Sequence, residues 1–200
     1  LIDSKLSLST TQFFEITTNV INASGKSVVI ANDCSFQRDA DQFPAIYLQA
    51  HVTGEINRSR FIGTRASIDL VNAVLTVVGC EFVGVIDSNP INASQNSQLT
   101  LRDCLFDNVT NSPALYLVDS KLDLYSSRFS NVTGNAINAS GISVIKADNC
   151  DWHTLGFSAI YLQIGVAAEI INSRFNGEVS NITIEHAMLT VIGCEFMGMR

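Results

Sequence analysis

The sequence predicts an all-β fold, a parallel β-solenoid, and three observations lead to that prediction. An aromatic residue recurs every 21 to 25 residues and always follows a Cys, Ser or Thr by two positions. Short segments within each repeat alternate between apolar and polar positions, which is the period of a β-strand. No segment shows the apolar periodicity of an amphipathic helix, and the prolines Pro44, Pro90 and Pro113 lie between repeats. Short strands that stack with inward columns of like residues form a solenoid.

The aromatic residues divide the chain into nine coils of about 23 residues. So many occurrences at a nearly fixed spacing cannot arise from composition alone. The predicted inward aromatic column consists of Phe13, Phe36, Phe61, Phe82, Phe106, Phe129, Trp152, Phe175 and Phe196. The corresponding coils span residues 1–19, 20–44, 45–66, 67–89, 90–113, 114–135, 136–158, 159–180 and 181–200.

Each coil is predicted to contain three short strand segments separated by turns. The first is exemplified by Ile46–Leu48, in which the period-two alternation points the isoleucine and the leucine inward and the tyrosine outward. The second, such as Leu99–Leu101, again points both leucines inward. After a two-residue bend, Cys104 and Phe106 also face inward, and turn-forming Asn, Asp, Gly and Ser then lead to the next coil.

A longer period lies above the 23-residue coil. Residues 1–6 resemble residues 117–122, an offset of 116, and matches further along the chain are offset by 114. Five coils therefore form a higher-order unit, with unit 1 over residues 1–116 and a partial unit 2 over residues 117–200. We expect a single continuous solenoid segment that belongs to a longer array.

The composition excludes several classes of partner. The net charge is −7 and only 16% of the residues are charged, compared with about 25% in typical soluble domains. An acidic chain is a poor partner for nucleic acid or for an anionic membrane, so we expect neither. No apolar stretch approaches the roughly 18 residues that a membrane-spanning helix needs, so we expect no transmembrane segment in this chain.

The order of motifs within a coil carries a family resemblance. Residues 104–108 read Cys-Leu-Phe-Asp-Asn and lead to Pro113–Leu115, and residues 128–131 read Arg-Phe-Ser-Asn and lead to Gly134–Ile137. This order resembles the right-handed parallel β-helix of the pectin-lyase-like superfamily. It is most similar to the noncatalytic surface members, such as polymorphic membrane proteins and autotransporter passengers. The resemblance, together with the strong bias of parallel crossovers, implies a right-handed solenoid.

All five cysteines fall in one inward column that they share with serines. The predicted structural column consists of Cys34, Cys80, Cys104, Cys150 and Cys194, interspersed with Ser59, Ser127 and Ser173. Free cysteine packs as a small buried apolar residue, which explains the column without metal or redox chemistry. There is no C-x-x-C pair, and His51, His153 and His186 are widely separated, so we expect no metal site. Cys80 and Cys104 belong to successive coils, so a disulfide between them is geometrically allowed.

Candidate catalytic carboxylates are present but scattered. Asp103 and Asp107 of one coil could approach Asp123 of the next, and Asp39 and Asp41 share a turn. Polysaccharide lyases and hydrolases need two or three carboxylates close together, or carboxylates with Ca²⁺ and a basic residue. The sequence lacks the Asn-Thr-Asp, Asp-Asp, Gly-His-Gly and Arg-Ile-Lys signatures of polygalacturonase-like enzymes. We therefore predict no catalytic residues and no enzyme, with a polysaccharide lyase or hydrolase as the least favoured function.

Asn-x-Ser/Thr sequons are the most informative polar signal, at about twice the number that the composition alone would give. The predicted N-glycosylation sites are Asn22, Asn57, Asn92, Asn108, Asn131, Asn138 and Asn181. Asn22, Asn92 and Asn138 each lie between an inward Ile and an inward Ala, so they point outward and are good acceptors. Asn108 and Asn131 follow the aromatic residue into a turn, where a ladder of side-chain amides is at least as well supported.

These observations predict a structural function. We expect a secreted or cell-surface glycoprotein that forms a fibril or stalk by end-to-end continuation of the solenoid, with another copy of itself as its main partner. Covalent N-linked glycans are its only expected attached groups, and no cofactor is expected. The alternative is a surface adhesin that binds carbohydrate through an outward face of asparagines with Tyr47, Tyr116 and Tyr161.

Overall fold

The computed structural model describes residues 1–38, 43–65, 67–177, 179 and 181–198, and it confirms an all-β parallel solenoid. The described residues form 26 strands in three parallel sheets, arranged in about eight turns of about 23 residues. Strand numbers within each sheet increase by three because every coil after the first contributes one strand to each sheet, while the first coil contributes β1 and β2 only. The described residues include no helix, and so none that could cross a membrane. The right-handed sense of winding stays a prediction.

The strands are numbered β1 to β26 along the chain, and the sheets are named by their order within a coil. The first sheet contains β3 (Ile21–Ala23), β6 (Ile46–Leu48), β9 (Ile68–Val71), β12 (Ile91–Ser94), β15 (Leu115–Val118), β18 (Ile137–Ser140), β21 (Ile160–Leu162) and β24 (Ile182–Ile184). The second sheet contains β1 (Lys5–Ser9), β4 (Val28–Asn32), β7 (Thr53–Asn57), β10 (Val74–Val78), β13 (Gln98–Arg102), β16 (Lys121–Tyr125), β19 (Val144–Asp148), β22 (Ala167–Ile171) and β25 (Met188–Ile192). The third sheet contains β2 (Gln12–Phe14), β5 (Ser35–Gln37), β8 (Arg60–Ile62), β11 (Glu81–Val83), β14 (Leu105–Asp107), β17 (Arg128–Val132), β20 (Asp151–Thr154), β23 (Arg174–Asn176) and β26 (Glu195–Met197).

Side chains alternate between the core and the surface as predicted. In β6 the isoleucine and the leucine are fully buried, while Tyr47 between them is half-buried on the outside. Both leucines of β13 are buried, and so are Cys104 and Phe106. In the second sheet the strands pair residue by residue from one coil to the next. Because side chains alternate with period two, this register places inward residues above inward residues and creates apolar columns along the axis.

The nine predicted aromatic side chains form one continuous stack in the core. Adjacent ring centroids lie 4.6–5.7 Å apart, and neighbouring rings are within 12° of parallel. The inner members are fully buried, whereas Phe13 and Phe196 in the end coils remain partly exposed. Burial of one such side chain contributes about 1.5–3 kcal/mol. The column is therefore a major source of stability for the fold.

Between the second and third strands, every coil turns through one left-handed residue. These residues have φ between 46° and 62°, and each precedes the aromatic residue of its coil by three positions. They are Thr10, Asp33, Arg58, Gly79, Asp103, Ser126, Asn149, Asn172 and Gly193. In all of them except Gly193 of the last coil, the backbone N–H donates to the next coil, as from Asp33 to the carbonyl of Asn57 at 3.0 Å. Left-handed backbone costs an ordinary residue roughly 1–2 kcal/mol, so hydrogen bonds between coils stabilise this turn.

Coils differ in length mainly in the connection between the third-sheet strand and the first-sheet strand that follows it. In every coil the second-sheet strand begins eight residues before the aromatic residue, as Val28 does before Phe36. The connection from the aromatic residue to the next first-sheet strand is variable: it measures seven residues from Phe61 to Ile68 and ten from Phe36 to Ile46. Most of the spread in coil length is therefore absorbed in this connection, while the turn between the second and third sheets stays constant.

Backbone contacts recur at the 116-residue offset that predicted the higher-order unit. Gly25 and Gly141 both have φ of 66°, and a side chain at either position would collide with a carboxylate, that of Asp3 or of Asp119. The same carboxylates accept the backbone N–H that follows each glycine, at 2.8 Å in unit 1 and 3.0 Å in unit 2. The two units therefore share a specific turn structure as well as sequence.

Candidate functional site

The outward side chains of the first sheet form a ladder of amides, tyrosines and one carboxylate along the solenoid axis. The register of the sheet aligns Asn22, Tyr47, Asp69, Asn92, Tyr116, Asn138, Tyr161 and Thr183. Adjacent strands lie about 4.8 Å apart, so neighbouring members can interact directly. Because this ladder holds three sequon asparagines and the three outward tyrosines, it is the candidate functional surface.

Asn22 and Asn138 occupy equivalent positions in the two units and make the same contact. Nε2 of Gln49 donates to Asn22 Oδ1 at 2.9 Å, and Nε2 of Gln163 donates to Asn138 Oδ1 at 2.8 Å. Each amide is thus oriented through its oxygen. Its Nδ2, the atom that N-glycosylation modifies, makes no hydrogen bond within the described part of the chain. Asn22 is exposed and Asn138 is half-buried.

Asn57 differs, because its amide nitrogen is already used twice. It lies at the end of β7 on the second sheet, where Nδ2 donates to Asn32 Oδ1 at 2.9 Å and to Glu55 Oε1 at 2.8 Å. Both N–H groups of the side chain are therefore engaged. A glycan attached to Nδ2 would replace one of its two N–H groups, so one of these two hydrogen bonds would be lost.

Asn108 directly follows β14, whereas Asn131 lies within β17 where the pairing with β20 is irregular; both are exposed and have φ of 54°. Asn131 Nδ2 donates to Asp107 Oδ1 of the preceding coil at 3.0 Å. This contact joins an amide to a carboxylate, and the ladder of side-chain amides stays a prediction. The seventh sequon residue, Asn181, is exposed immediately before β24.

A groove borders the ladder in unit 1. It consists of two adjoining cavities of about 380 Å³ and 170 Å³ that share Phe43, Pro44 and Asp69. The larger cavity is also lined by Asn19, Asn22, Tyr47 and Val71, and the smaller by Arg65, Ser67, Ser88 and Asn92. Phe43 is 52% exposed. The groove therefore presents an apolar ring opposite polar ladder side chains.

Asp69 is the carboxylate at the centre of this groove. Asn92 Nδ2 donates to Asp69 Oδ1 at 2.6 Å, and Asn92 Oδ1 in turn accepts from Asn89 Nδ2 at 2.6 Å. Burial raises the pKa of Asp69 above its usual value, and the hydrogen bond from Asn92 partly opposes that shift. Within the described residues no Lys, Arg or His forms an ion pair with Asp69. A ligand hydroxyl could therefore donate to this carboxylate.

The equivalent surface of unit 2 keeps the aromatic residues but loses the carboxylate. Phe157 is 64% exposed at the position equivalent to Phe43, and Tyr161 is equivalent to Tyr47. Thr183 replaces the aspartate of unit 1. A hydrogen bond to Glu185 raises the pKa of the Tyr161 hydroxyl. The two units thus differ in chemistry at the same point of the ladder.

The cysteine column lies in the core, as the inward prediction required. All five cysteines are free thiols, so Cys80 and Cys104 are not bridged, and only Cys194 is more than slightly exposed. Burial raises the pKa of Cys80 to about 12 and that of Cys104 to about 11. The serines join the column through hydrogen bonds, as when the N–H of Cys34 donates to Ser59 Oγ at 3.0 Å. Packing and hydrogen bonding account for the column.

The carboxylates considered for catalysis lie in separate parts of the coil. Asp103 belongs to the left-handed turn, Asp107 to the outer side of the third sheet, and Asp123 to the outer side of the second sheet, where it pairs with a lysine at 2.7 Å. Asp39 and Asp41 lie outside the described residues. Across the described ranges, no group of three or more His, Cys, Asp and Glu residues could hold a metal ion.

No protein-family model matches this chain, and no curated protein matches it. The function must therefore be inferred from the fold and from the chemistry of the outer surfaces. Neither Phe43 nor Asp69 was predicted from the sequence as a site residue. A position-by-position alignment of the coils would have found Asp69, because it is the one carboxylate at a ladder position otherwise occupied by Asn, Tyr or Thr.

Proposed function

We propose that this chain is a structural segment of a secreted, N-glycosylated fibril or surface stalk. The supporting observation is that the core columns continue without interruption into both end coils. Phe13 and Phe196 each stack on one neighbouring ring, and Phe196 is 39% exposed. Each inner coil covers the next with the same columns, so the packing between coils can be repeated between copies stacked end to end.

Glycans on Asn22 and Asn138 would hydrate a surface that has few charges. The two residues are five coils apart on the same sheet, a separation of about 24 Å. Exposed Asn108 and Asn181 are further acceptors. Asn57 is a poor one, because modification would remove a donor to Asn32 or to Glu55.

Site-specific glycopeptide mass spectrometry of the native protein tests the glycosylation. We expect a glycan on Asn22 and Asn138 in most molecules and none on Asn57. The variants Asn22→Gln and Asn57→Gln form a matched pair, since only the first should lose the mass of one glycan. Secreted material with unmodified Asn22 and Asn138 would count against a glycosylated fibril.

Electron microscopy of the 200-residue chain tests end-to-end assembly. One molecule is about 43 Å long, so stacked copies appear as longer rods. Phe196→Lys places a charge in the exposed end of the aromatic column and should return the rods to single length. Phe157→Lys makes the same change on the side of the solenoid and should leave the long rods intact. Wild-type rods of single length would contradict the stacking of copies.

The groove beside Phe43 supports a second candidate function, carbohydrate binding at a cell surface. The rings of Phe43 and Pro44 match the C–H face of a sugar, while Tyr47 and Asp69 can hydrogen-bond to its hydroxyls. On a glycan array, we expect Asp69→Asn to weaken binding about tenfold, the value of one good hydrogen bond to a charged group. Tyr161→Ala, at the equivalent ladder position of unit 2, should retain binding. An array without any bound glycan would dismiss this candidate.

We also propose that the chain is not an enzyme. The separate positions of Asp103, Asp107 and Asp123 support this, because glycoside cleavage needs neighbouring carboxylates. Incubation with polyuronates should release neither reducing ends nor unsaturated products, and catalytic turnover would overturn the proposal.

A further inference from the structure

The outer side of the second sheet, called the flat face below, is the most regular surface of the solenoid. All nine of its strands contain five residues, whereas strands of the other two sheets contain three to five. Strand spacing and rise give it dimensions of about 43 Å by 16 Å, or about 700 Å². A standard protein interface covers about 800 Å² on each partner. The flat face is therefore slightly smaller than this average but lies within the range of about 600–1,000 Å² on each partner.

Exposed apolar side chains line one margin of the flat face. They occupy the first position of their strands and are Val28 at 36%, Val74 at 41%, Val144 at 48% and Met188 at 72% exposure. Between the last two lies the small side chain of Ala167, in register with both. It leaves a depression of about 470 Å³ that a bulkier side chain from another molecule can fill. Thr53, Gln98 and Lys121 interrupt this row, so its one unbroken apolar stretch consists of Val144, Ala167 and Met188. Exposed apolar surface that borders a depression marks an interaction site.

The flat face carries no net charge, although the whole chain has a charge of −7. Its outward cations are Lys5, Arg102, Lys121 and Lys146, and its outward carboxylates are Glu55, Asp123, Asp148 and Glu169. Four positive and four negative charges cancel. Two copies can therefore approach through this face without the repulsion that the rest of the surface would impose.

The other two sheets are less suited to such an approach. The first sheet holds the sequon residues Asn22, Asn92 and Asn138, whose glycans would separate neighbouring molecules. The third sheet carries three ion pairs between coils on its outer side, namely Arg60–Glu81 at 2.7 Å, Arg128–Asp151 at 3.7 Å and Arg174–Glu195 at 3.1 Å. The described flat face has one ion pair between coils, Lys146–Glu169 at 3.7 Å, and one within a strand, Lys121–Asp123 at 2.7 Å. The flat face has one sequon residue, Asn57, and its Nδ2 is held by Asn32 and Glu55.

The geometry points to a second copy of this chain as the occupant of the flat face, packed sheet against sheet in a two-fold pair. Such a pair is isologous, so the apolar margin and the balanced charges of one molecule meet the same features of the other. Packed sheets lie about 10 Å apart, which leaves room for the outward side chains to interdigitate. This lateral pairing goes beyond the proposed end-to-end assembly, since it uses a surface that stacking along the axis leaves free.

Analytical ultracentrifugation of the 200-residue chain tests the pairing. We expect a dimer at micromolar concentration, and at least a tenfold weaker association for the double variant Val74→Lys/Val144→Lys. Thr100→Arg, at the centre of the flat face, is a second variant that replaces one polar side chain by another. Val83→Lys makes the valine-to-lysine change on the outer side of β11 in the third sheet and should leave the dimer intact. Circular dichroism and Trp152 fluorescence identify variants that fail to fold.

Each outcome separates lateral pairing from axial stacking. Folded, monomeric flat-face variants beside a dimeric Val83→Lys control support the inference. It is overturned if the wild type is monomeric at about 100 μM, if both flat-face variants stay dimeric, or if the control dissociates equally. Longer species that respond to Phe196→Lys but not to the flat-face variants would overturn lateral pairing and leave end-to-end assembly standing.

Discussion

At the scale of single residues, two separate constraints require glycine at position 141. Its φ of 66° is unfavourable for other residues, and a side chain would collide with the Asp119 carboxylate, which accepts the following backbone N–H. Gly84 has φ of 69° but open space around it. Gly84 therefore has an unfavourable φ for other residues, but a side chain at this position would meet no neighbouring atom.

We expect Gly84→Ala to lower the free energy of unfolding by about 1 kcal/mol, the cost of left-handed backbone. Gly141→Ala should cost about 2–4 kcal/mol, because the displaced carboxylate also gives up its hydrogen bond. Urea denaturation of both variants measures the difference. Equal losses would show that the contact with Asp119 contributes nothing.

The buried cysteines predict a loss of stability in alkali. Burial raises the pKa of Cys80 to about 12 and of Cys150 to about 12 in the folded chain, from 9.0 for a free thiol. A raised folded-state pKa favours the protonated native form, so this stabilisation is complete below pH 9 and is lost as the pH rises from about 9 towards 12. Denaturation midpoints across that range should fall less steeply for Cys80→Ser, which removes one titrating thiol. An identical pH profile would contradict this account.

At the scale of the element, the aromatic column predicts a contrast between two substitutions. Phe106→Ala opens a cavity in a fully buried position and should cost about 3–5 kcal/mol. Trp152→Phe also removes volume, but it eliminates a buried indole Nε1 that has no hydrogen-bond partner within the described structure. An unsatisfied buried donor costs about 1–3 kcal/mol. The net change at residue 152 should therefore stay within about 1 kcal/mol.

Chemical denaturation monitored by circular dichroism compares the two variants. Fluorescence of the wild type provides an internal check, since Trp152 is the single tryptophan and is fully buried. A Trp152→Phe variant as unstable as Phe106→Ala would show that ring volume outweighs the unsatisfied donor.

The columns could be predicted from the sequence because inward positions repeat with both the strand period and the coil period. The left-handed backbone of the turn between the second and third strands could not be predicted in this way. Its members include Thr10, Arg58 and Ser126 as well as Asn, Asp and Gly. Six of the nine positions hold Asp, Asn or Gly, but hydrogen bonds to the next coil impose the same backbone on Thr10, Arg58 and Ser126, so residue type alone does not mark every one of these turns. Propensity arguments find such turns only where the residue itself prefers φ > 0.

At the scale of the whole molecule, each coil is stabilised mainly by its two neighbours. Coils at the ends have one neighbour, and their inward apolar residues, such as Val191 and Phe196, are correspondingly exposed, whereas the residues paired with them in the preceding coil are fully buried. In hydrogen exchange, we expect the amides of β13 and β14 to exchange only on global unfolding, and those of β25 and β26 to exchange through local opening at least a hundredfold faster. Uniform protection along the chain would indicate that the ends are covered by another molecule or that unfolding is fully concerted.

The candidate surface was predictable only in part. Period-two alternation places Asn22 and Asn138 on the outside, but it does not reveal which amide nitrogens are engaged. The partner that distinguishes Asn57, namely Asn32, lies 25 residues away and becomes its neighbour only through the register of the second sheet. The groove could not be predicted for the same reason. Phe43 and Asp69 belong to different coils and become neighbours only in the folded solenoid.

The constant spacing from each second-sheet strand to its aromatic residue has a consequence for engineering. That eight-residue segment fixes the register of two sheets at once, so one inserted residue would turn core side chains to the surface. The connection after the aromatic residue already differs by three residues between coils. Foreign peptides grafted there would leave both registers unchanged and would be presented along one edge of a stiff scaffold at intervals of about 4.8 Å.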